Sequence, residues 1–158
     1  MHRPRPVRLL GLPYVGGGRY HVRTSTSWQH PAFTNAETVA AASGLLLQLA
    51  EERQFAVFAY CFMPDHVHVL LDARDDSAAL RDVVKRWKQA SGYWYARRFG
   101  RTLWQSGYFE RILRREETTE LVANYILANP VRTGLAKHVG EYPYAWALES
   151  TGTRGTEL

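Results

Sequence analysis

The chain has 158 residues, 46% of them hydrophobic, which is enough material for one buried core and too little for two. Its formal charge of +5 and its pI of about 9.6 favour a polyanionic partner over an acidic one. The single cysteine, Cys61, excludes an internal disulfide framework and a cysteine-rich zinc site. We find no apolar stretch long enough to cross a bilayer and no signal peptide, so a cytoplasmic protein is expected.

The first elements can be predicted from composition and periodicity. Residues 1–19 are rich in Pro, Arg and Gly and are expected to form an N-terminal arm. Alternation from Tyr20 to Ser27 predicts a first strand. The sequence Thr34-Asn35-Ala36-Glu37 has the spacing of a capping box and predicts a helix that continues to about Arg53.

Two short β-rich segments follow, Phe55–Phe62 and His66–Asp72, and the turn residues at 63–65 predict a hairpin between them. A second helix is predicted from Ser77 to Phe99, because apolar or small residues recur there at helical spacing. The residues of this stripe are Leu80, Val83, Val84, Trp87, Ser91 and Trp94.

A fourth strand is predicted at Tyr108–Arg114 and a third helix from Glu116 to Ala128, which ends near Asn129 because Pro130 disfavours helical geometry in the preceding residue. This order of elements predicts an α+β fold, with a ferredoxin-like antiparallel sheet and helices packed on one face. The folded domain is expected to span residues 20–147, followed by a disordered tail at 148–158.

The third strand contains a pair of histidines. Strand alternation sends His66 and His68 to one face and Val67, Val69 and Leu71 to the other. Two imidazoles on one face could converge on a divalent ion, or could be partly exposed strand histidines bonded to their neighbours. The spacing alone does not decide between these interpretations.

The third helix ends in Asn124-Tyr125-Ile126-Leu127-Ala128-Asn129-Pro130. The i, i+4 relation puts Tyr125 and Asn129 on one face. Periodicity by itself is typical of a half-buried core tyrosine and a helix-terminal asparagine.

Together these motifs resemble those of a known family. The segments Met63–Leu71, Leu103–Gln105 with Tyr108–Arg111, and Tyr125–Arg132 are similar, in this order, to the motifs of IS200-like transposases, the single-tyrosine enzymes of the HUH superfamily. The resemblance extends from about Tyr20 to Trp146 and is closest to the REP-associated tyrosine transposases.

The resemblance implies a set of roles. His66 and His68 would hold a divalent metal, Mg²⁺ or Mn²⁺, with Asn129 as third ligand, and Tyr125 would be the nucleophile that forms a 5′-phosphotyrosine with DNA. The substrate would be single-stranded DNA that carries a hairpin or palindromic repeat. The family often has Asn where this chain has Asp65; a carboxylate here would either add a charge near the metal or cap the turn, and we expect the cap. Both a homodimer and a monomer are compatible with the sequence.

We expect a basic surface to contact the phosphates of the DNA. Basic and aromatic residues alternate along the second helix, as in proteins that bind single-stranded DNA, although a solvated helix face has the same composition. The candidate DNA-binding residues are Arg81, Lys85, Arg86, Lys88 and Arg97 on the second helix, and Arg111, Arg114, Arg115 and Arg132 near the proposed site.

Three alternatives stay open. Tyr108 is a rival nucleophile, which we interpret instead as an aromatic residue of the sheet. The chain could be a binding module for hairpin DNA or RNA that no longer cleaves. It could also be a metal-dependent hydrolase in which Tyr125 is structural.

Overall fold

The computed structural model describes residues 18–148. The expectations for most of the N-terminal arm and for the tail from residue 149 onward therefore lie outside the described residues. The strands are β1 (Arg19–Ser25), β2 (Phe55–Met63), β3 (His66–Ala73), β4 (Phe109–Ile112) and β5 (Ala145–Ala147), and the helices are α1 (Ala36–Glu52), α2 (Leu80–Phe99), α3 (Thr119–Leu127) and α4 (Asn129–Arg132). Two 3-10 turns, Ser27–Gln29 and Ala32–Thr34, lie between β1 and α1.

The five strands form one antiparallel sheet in the order β4-β1-β3-β2-β5. Elements β1 to β4 with α1 and α2 follow the βαββαβ order of a ferredoxin-like fold, which confirms the predicted class. The central strand is β3, which pairs with β1 on one side and β2 on the other. The backbone of β3 is therefore hydrogen-bonded along both edges, which holds its side chains in fixed positions on the two faces of the sheet.

The prediction that the helices pack on one face is correct for α1 and α2 and wrong for α3. Val67, Val69 and Leu71 of β3 belong to a core cluster that includes residues of α1 and α2. Leu70 belongs instead to a second cluster that includes Ile126 of α3. The sheet is thus covered on both faces, and α3 lies on the face to which His66 and His68 point.

A β-bulge allows β2 to serve both clusters. Its pairing with β3 shifts register between Val57 and Ala59, so that the alternation of inward residues changes there. Val57 lies in the cluster of α1 and α2, whereas Ala59 and Cys61 lie in the cluster of α3. Sequence alternation does not reveal a bulge, because both clusters require apolar residues.

The cap of α1 differs from the predicted capping box. The Asn35 side chain accepts hydrogen bonds from the backbone N–H groups of Glu37 (2.9 Å) and Thr38 (3.4 Å), so Asn35 is the N-cap. The Thr34 hydroxyl donates to the Pro31 carbonyl instead. Thr34 belongs to the preceding 3-10 turn, and Asn35 takes the cap position that was predicted for Thr34.

Helix α2 begins three residues later than predicted. The Asp75 carboxylate accepts hydrogen bonds from the backbone and hydroxyl of Ser77, which forms a turn before the helix. Within α2 it is Tyr95, rather than the predicted Trp94, that is buried at the end of the stripe, and Trp94 packs at the margin of the core.

The predicted third helix is divided into α3 and α4. The Thr118 hydroxyl caps α3 by accepting a hydrogen bond from the Leu121 N–H, so α3 starts later than Glu116. Helix α3 ends at Leu127, and Pro130 occupies the first turn of α4, where its missing N–H has no cost. Strand β5 was not predicted, because three residues are too few to show alternation.

None of the helices in residues 18–148 combines the length and the apolar character that crossing a bilayer requires.

The two-faced packing of β3 generates a stability prediction. Val67 has 0% of its surface exposed, so Val67→Asp places an unpaired carboxylate in the core and should cost several kcal/mol. Arg74→Ala, which removes only an exposed ion pair with Glu51, should change the free energy of unfolding by about 0.5 kcal/mol or less. Urea unfolding followed by circular dichroism measures both. A wild-type midpoint for Val67→Asp would contradict this description of the core.

Candidate functional site

The two histidines of β3 lie side by side on the sheet face covered by α3. The ring centroids of His66 and His68 are 5.1 Å apart, and the planes are nearly perpendicular at 79°. Their neighbour Val67 points into the opposite core. The alternation predicted for β3 is therefore confirmed.

Each imidazole is held at Nδ1. The Nδ1 atom of His66 lies 2.7 Å from Asp65 Oδ1, and since a carboxylate can only accept, the ring donates. Asp65 was expected to cap the turn; its side chain instead orients His66, because the residue before the strand lies within reach of the ring. The Nδ1 atom of His68 lies 2.9 Å from Nε2 of His21.

His21 is a site residue that the sequence analysis missed. It lies on β1 with its ring centroid 5.1 Å from that of His68. Alternation along β1 contained the signal, because Tyr20 and Val22 are buried in the cluster of α1 and α2 and therefore send His21 to the other face. The sequence around His21 contains no second histidine, so its link to His68 could be recognised only once the pairing of β1 with β3 was known.

Burial keeps these imidazoles uncharged. Burial lowers the pKa of His68 to about 3, and the positive charges nearby, including Arg23 and Arg132, shift it in the same direction. Burial also lowers the pKa of His21 to about 4, assisted by the guanidinium groups of Arg111 and Arg23. The pKa of His66 is lowered by burial as well, against the effect of its hydrogen bond with Asp65. The rings are therefore neutral at pH 7, which is the form that binds metals.

The two histidines of β3 offer two nitrogen ligands for a divalent metal, but not a complete coordination shell. Among the described residues, Nε2 of neither His66 nor His68 has a hydrogen-bond partner, and a ligating histidine usually has its other nitrogen held by a carboxylate or similar group. Within residues 18–148 no three His, Cys, Asp or Glu side chains converge as a metal site. Further ligands would then be an amide, water or a group of the substrate.

Tyr125 lies on α3 with 56% of its surface exposed, so it is not the half-buried core residue that periodicity alone favoured. Its ring centroid is 6.5 Å from that of His21 in an edge-on arrangement. The Arg132 guanidinium lies 4.0 Å from the centroid of the Tyr125 ring and donates to the Tyr125 carbonyl (2.9 Å). The tyrosine is thus oriented between an imidazole and a guanidinium.

Asn129 makes its side-chain hydrogen bond with Arg132 rather than with either histidine of β3, at 3.3 Å from Oδ1 to Nη2. Arg132 also contacts the Tyr125 ring, so it links Asn129 to Tyr125 across the break between α3 and α4. An amide oxygen has a second lone pair, so this bond leaves one acceptor position on Asn129.

A cleft of about 390 Å³ opens beside Tyr125. Its lining residues are His21, Arg111, Glu117, Leu121, Val122 and Tyr125. Arg111 forms an ion pair with Glu117 at 2.6 Å, and its hydrogen bond lowers the pKa of that carboxyl. The cleft combines apolar walls with this ion pair and a neutral imidazole.

The basic residues of α2 are separated from this cleft, because α2 packs on the other face of the sheet. Arg86 is paired with Asp82 at 3.0 Å. Lys88 donates to the carbonyls of Gln105 (2.8 Å) and Gly107 (2.6 Å), and burial lowers its pKa to about 8. Lys88 therefore supports the loop before β4, whereas Arg81 and Lys85 are exposed.

The rival nucleophile Tyr108 packs against the core cluster of α1 and α2. It thus lies on the face of the sheet opposite His66 and His68.

The lowered histidine pKa values predict that stability falls in acid. Unfolded histidine titrates near 6.5, whereas His21 and His68 titrate at about 4 and about 3 when folded, so between those values the unfolded chain binds more protons. Metal-free protein in chelator should therefore lose free energy of unfolding as the pH falls from about 7 to about 5. The double variant His21→Gln, His68→Gln should lose about 4 kcal/mol less over this interval, about 2 kcal/mol for each imidazole removed. Equal losses in urea titrations would contradict the burial of these rings.

The chain is similar to known proteins. The model of the family described as "Transposase IS200 like" matches residues 15–129. A REP-associated tyrosine transposase of Escherichia coli is 26% identical over 104 residues, 63% of this chain and 59% of the relative. A Haemophilus influenzae protein assigned to the same group is 28% identical over 109 residues, 62% of each. The chain thus spans about three fifths of the length of these curated relatives.

Solved structures show the same fold. A REP-associated tyrosine transposase bound to a REP hairpin has a TM-score of 0.71 at 17% identity, over 98% of this chain and 96% of that one. A Deinococcus radiodurans protein assigned as a transposase has a TM-score of 0.54 at 25% identity, over 80% of this chain and 95% of that one. The family model covers far more than half of the sequence, and the chain therefore belongs to the IS200-like transposase family.

Proposed function

We propose that the chain cleaves and rejoins single-stranded DNA beside a hairpin, using Tyr125 as nucleophile. The observation that carries this proposal is the meeting of β3, β1 and α3. The neutral histidine pair and the exposed Tyr125 face the same side of the sheet, with His21 bonded to His68 and lying 6.5 Å from the tyrosine ring.

In this proposal His66 and His68 hold a divalent metal, Mg²⁺ or Mn²⁺, through their Nε2 atoms. Asn129 is the third ligand, through the lone pair that Arg132 leaves free. Such an ion would supply Lewis-acid polarisation of a phosphate oxygen. Asp65 and His21 fix the two rings at Nδ1, so that Nε2 of each is directed away from the strand.

The reaction exchanges one phosphate ester for another. The Tyr125 oxygen forms a bond to phosphorus, the bond from phosphorus to the 3′-oxygen breaks, and the phenol proton is lost while the 3′-oxygen gains one. The products are a 5′-phosphotyrosine and a free 3′-hydroxyl. The same steps in reverse join a 3′-hydroxyl to the DNA held by Tyr125, so no nucleotide cofactor is required.

Arg111 and Arg132 are the basic candidates next to the cleft. Arg132 lies against the Tyr125 ring, so it can neutralise the phosphate that Tyr125 attacks. Arg111 lines the cleft and can do the same only by leaving its ion pair with Glu117. Arg114 is exposed in the loop between β4 and α3 and could contact the strand that leaves the site. Arg81, Lys85 and Arg86 lie beyond the sheet and can reach only DNA that extends past this face.

The hairpin is proposed because a structural relative is bound to a REP hairpin. A chain with one tyrosine centre has the means to cut one strand at a time. The two alternatives, a binding module and a hydrolase, both lack a covalent protein–DNA product. The exposure of Tyr125 argues against a purely structural role for it.

Tyr125→Phe should abolish the covalent product and leave DNA affinity within about twofold, because it removes one hydroxyl from an exposed side chain. The measurement uses hairpin oligonucleotides with randomised single-stranded flanks and Mn²⁺. A label at the 3′ end should remain with the protein on a denaturing gel, whereas a label at the 5′ end should be released.

Tyr108→Phe is the matched control, since Tyr108 packs on the other face of the sheet. It should retain the covalent product. A product that survives in Tyr125→Phe and disappears in Tyr108→Phe would reverse the assignment. Absence of any 3′-labelled product in the wild type would favour the binding module or the hydrolase.

Metal binding should depend on both histidines. His66→Ala and His68→Ala should each weaken Mn²⁺ binding by at least about tenfold in calorimetric titration and reduce the covalent product in parallel. The fold should persist, because Val67 and Val69 supply the buried side of β3. His138→Ala, at an exposed histidine outside the site, should change neither quantity. Unchanged Mn²⁺ affinity in both β3 variants would exclude this metal site.

A further inference from the structure

Trp28 is unusually placed for a tryptophan. It has 94% of its surface exposed, the largest fraction among the exposed large hydrophobic residues that the structure describes. Its backbone has a φ of 55°, and that of Gln29 has a φ of 53°. L residues other than asparagine and aspartate rarely adopt this left-handed backbone conformation. A bulky residue there marks a turn under constraint.

The turn that carries Trp28 is held on both sides. The Thr26 N–H donates to the Asp65 carbonyl (2.9 Å), and the Thr26 hydroxyl donates to the His30 carbonyl (2.8 Å). His30 Nδ1 lies 2.7 Å from the Ser27 carbonyl and therefore donates to it, which leaves Nε2 to accept from the Tyr95 hydroxyl at 3.2 Å. These bonds keep the backbone of the turn fixed while the indole projects into solvent.

The same bonds locate Trp28 relative to the candidate site. Thr26 is bonded to Asp65, and the Asp65 side chain orients His66. Trp28 therefore lies at the end of the sheet where the histidine strand begins. A DNA strand that extends from the histidine pair past this end of the sheet would run near the indole.

The surroundings of Trp28 favour a nucleobase as its partner. Its sequence neighbours Ser27, Gln29 and His30 are polar, and the next exposed large hydrophobic residue along the chain is Leu47. A single indole is by itself too small for a stable protein interface or for membrane insertion. A flat indole is well suited to stack on a single base, and the charge of +5 attracts the strand that carries it.

We propose that Trp28 stacks on one unpaired base of the DNA strand that enters the candidate site. This inference rests on the proposed function for the position of the strand, and it adds a specific contact outside the cleavage chemistry. The stack fixes the position of the unpaired flank and thereby helps to choose which linkage reaches Tyr125.

The test measures affinity, so it does not depend on cleavage. Fluorescence anisotropy in chelator would compare Trp28→Ala, Trp28→Asn and Trp28→Phe on hairpins with a single-stranded flank. Trp28→Asn matters because asparagine tolerates the left-handed backbone, so it removes the ring and keeps the turn. Alanine and asparagine should each weaken binding roughly tenfold, and phenylalanine should stay within about threefold of the wild type.

Abasic substitution along the flank identifies the base. At one position, loss of the base should weaken wild-type binding roughly tenfold and Trp28→Ala binding less than about twofold, because the ring and the base act as one contact. Tyr93→Ala removes another exposed aromatic residue, on α2, and should leave the abasic profile of the wild type unchanged.

Two results would overturn the proposal: equal abasic profiles for the wild type and Trp28→Ala, or a change of oligomeric state in Trp28→Ala during sedimentation, which would place the ring in a protein interface. Failure of the proposed function has a different signature. In that case the covalent product is absent in every variant, while the affinity data still report on the stack.

Discussion

The arrangement of this molecule depends on the alternation of side chains along β3, the central strand. Val67 and Val69 are buried beneath α1 and α2, and this burial fixes the register of the strand, since a slip of one residue would put both histidines into an apolar core. His66 and His68 are thereby held on the other face with little freedom. The chemical side of the sheet is positioned by the hydrophobic packing of its opposite side.

Helix α3 completes the site because it covers the same face that presents the histidines. Ile126 is buried against the sheet, whereas Tyr125, one residue earlier, remains exposed beside the cleft. The buried Ile126 side chain thus fixes the position of α3, and with it the position of Tyr125, although Ile126 contributes only packing. Arg132 and His21 contact the tyrosine ring from α4 and β1. Strand β1, distant in sequence, and the adjacent helices α3 and α4 thus meet at a single aromatic side chain.

The sequence was sufficient to predict elements with long, regular patterns, and insufficient where tertiary contacts decide. The two faces of β3 and the core stripe of α2 follow from periodicity, so they could be predicted. The side of the sheet that α3 covers could not, because an amphipathic helix fits either face until the bulge in β2 is known. His21 was missed because a single histidine acquires meaning only from strand pairing. Of the two roles considered for Asp65, the cap was preferred, because only the folded backbone shows that its carboxylate lies within reach of the His66 ring.

The histidine pair and Tyr125 are proposed to form one centre. The distance from a paramagnetic ion bound at the histidines to each tyrosine ring tests this directly. Protein labelled with 3-fluorotyrosine and titrated with substoichiometric Mn²⁺ would be followed by ¹⁹F NMR, with signals assigned by Tyr→Phe variants. If the histidine pair and Tyr125 form one centre, the Tyr125 signal broadens first, while the signal of Tyr93, on α2, stays sharp. A sharp Tyr125 signal at Mn²⁺ levels that broaden Tyr93 would contradict this arrangement.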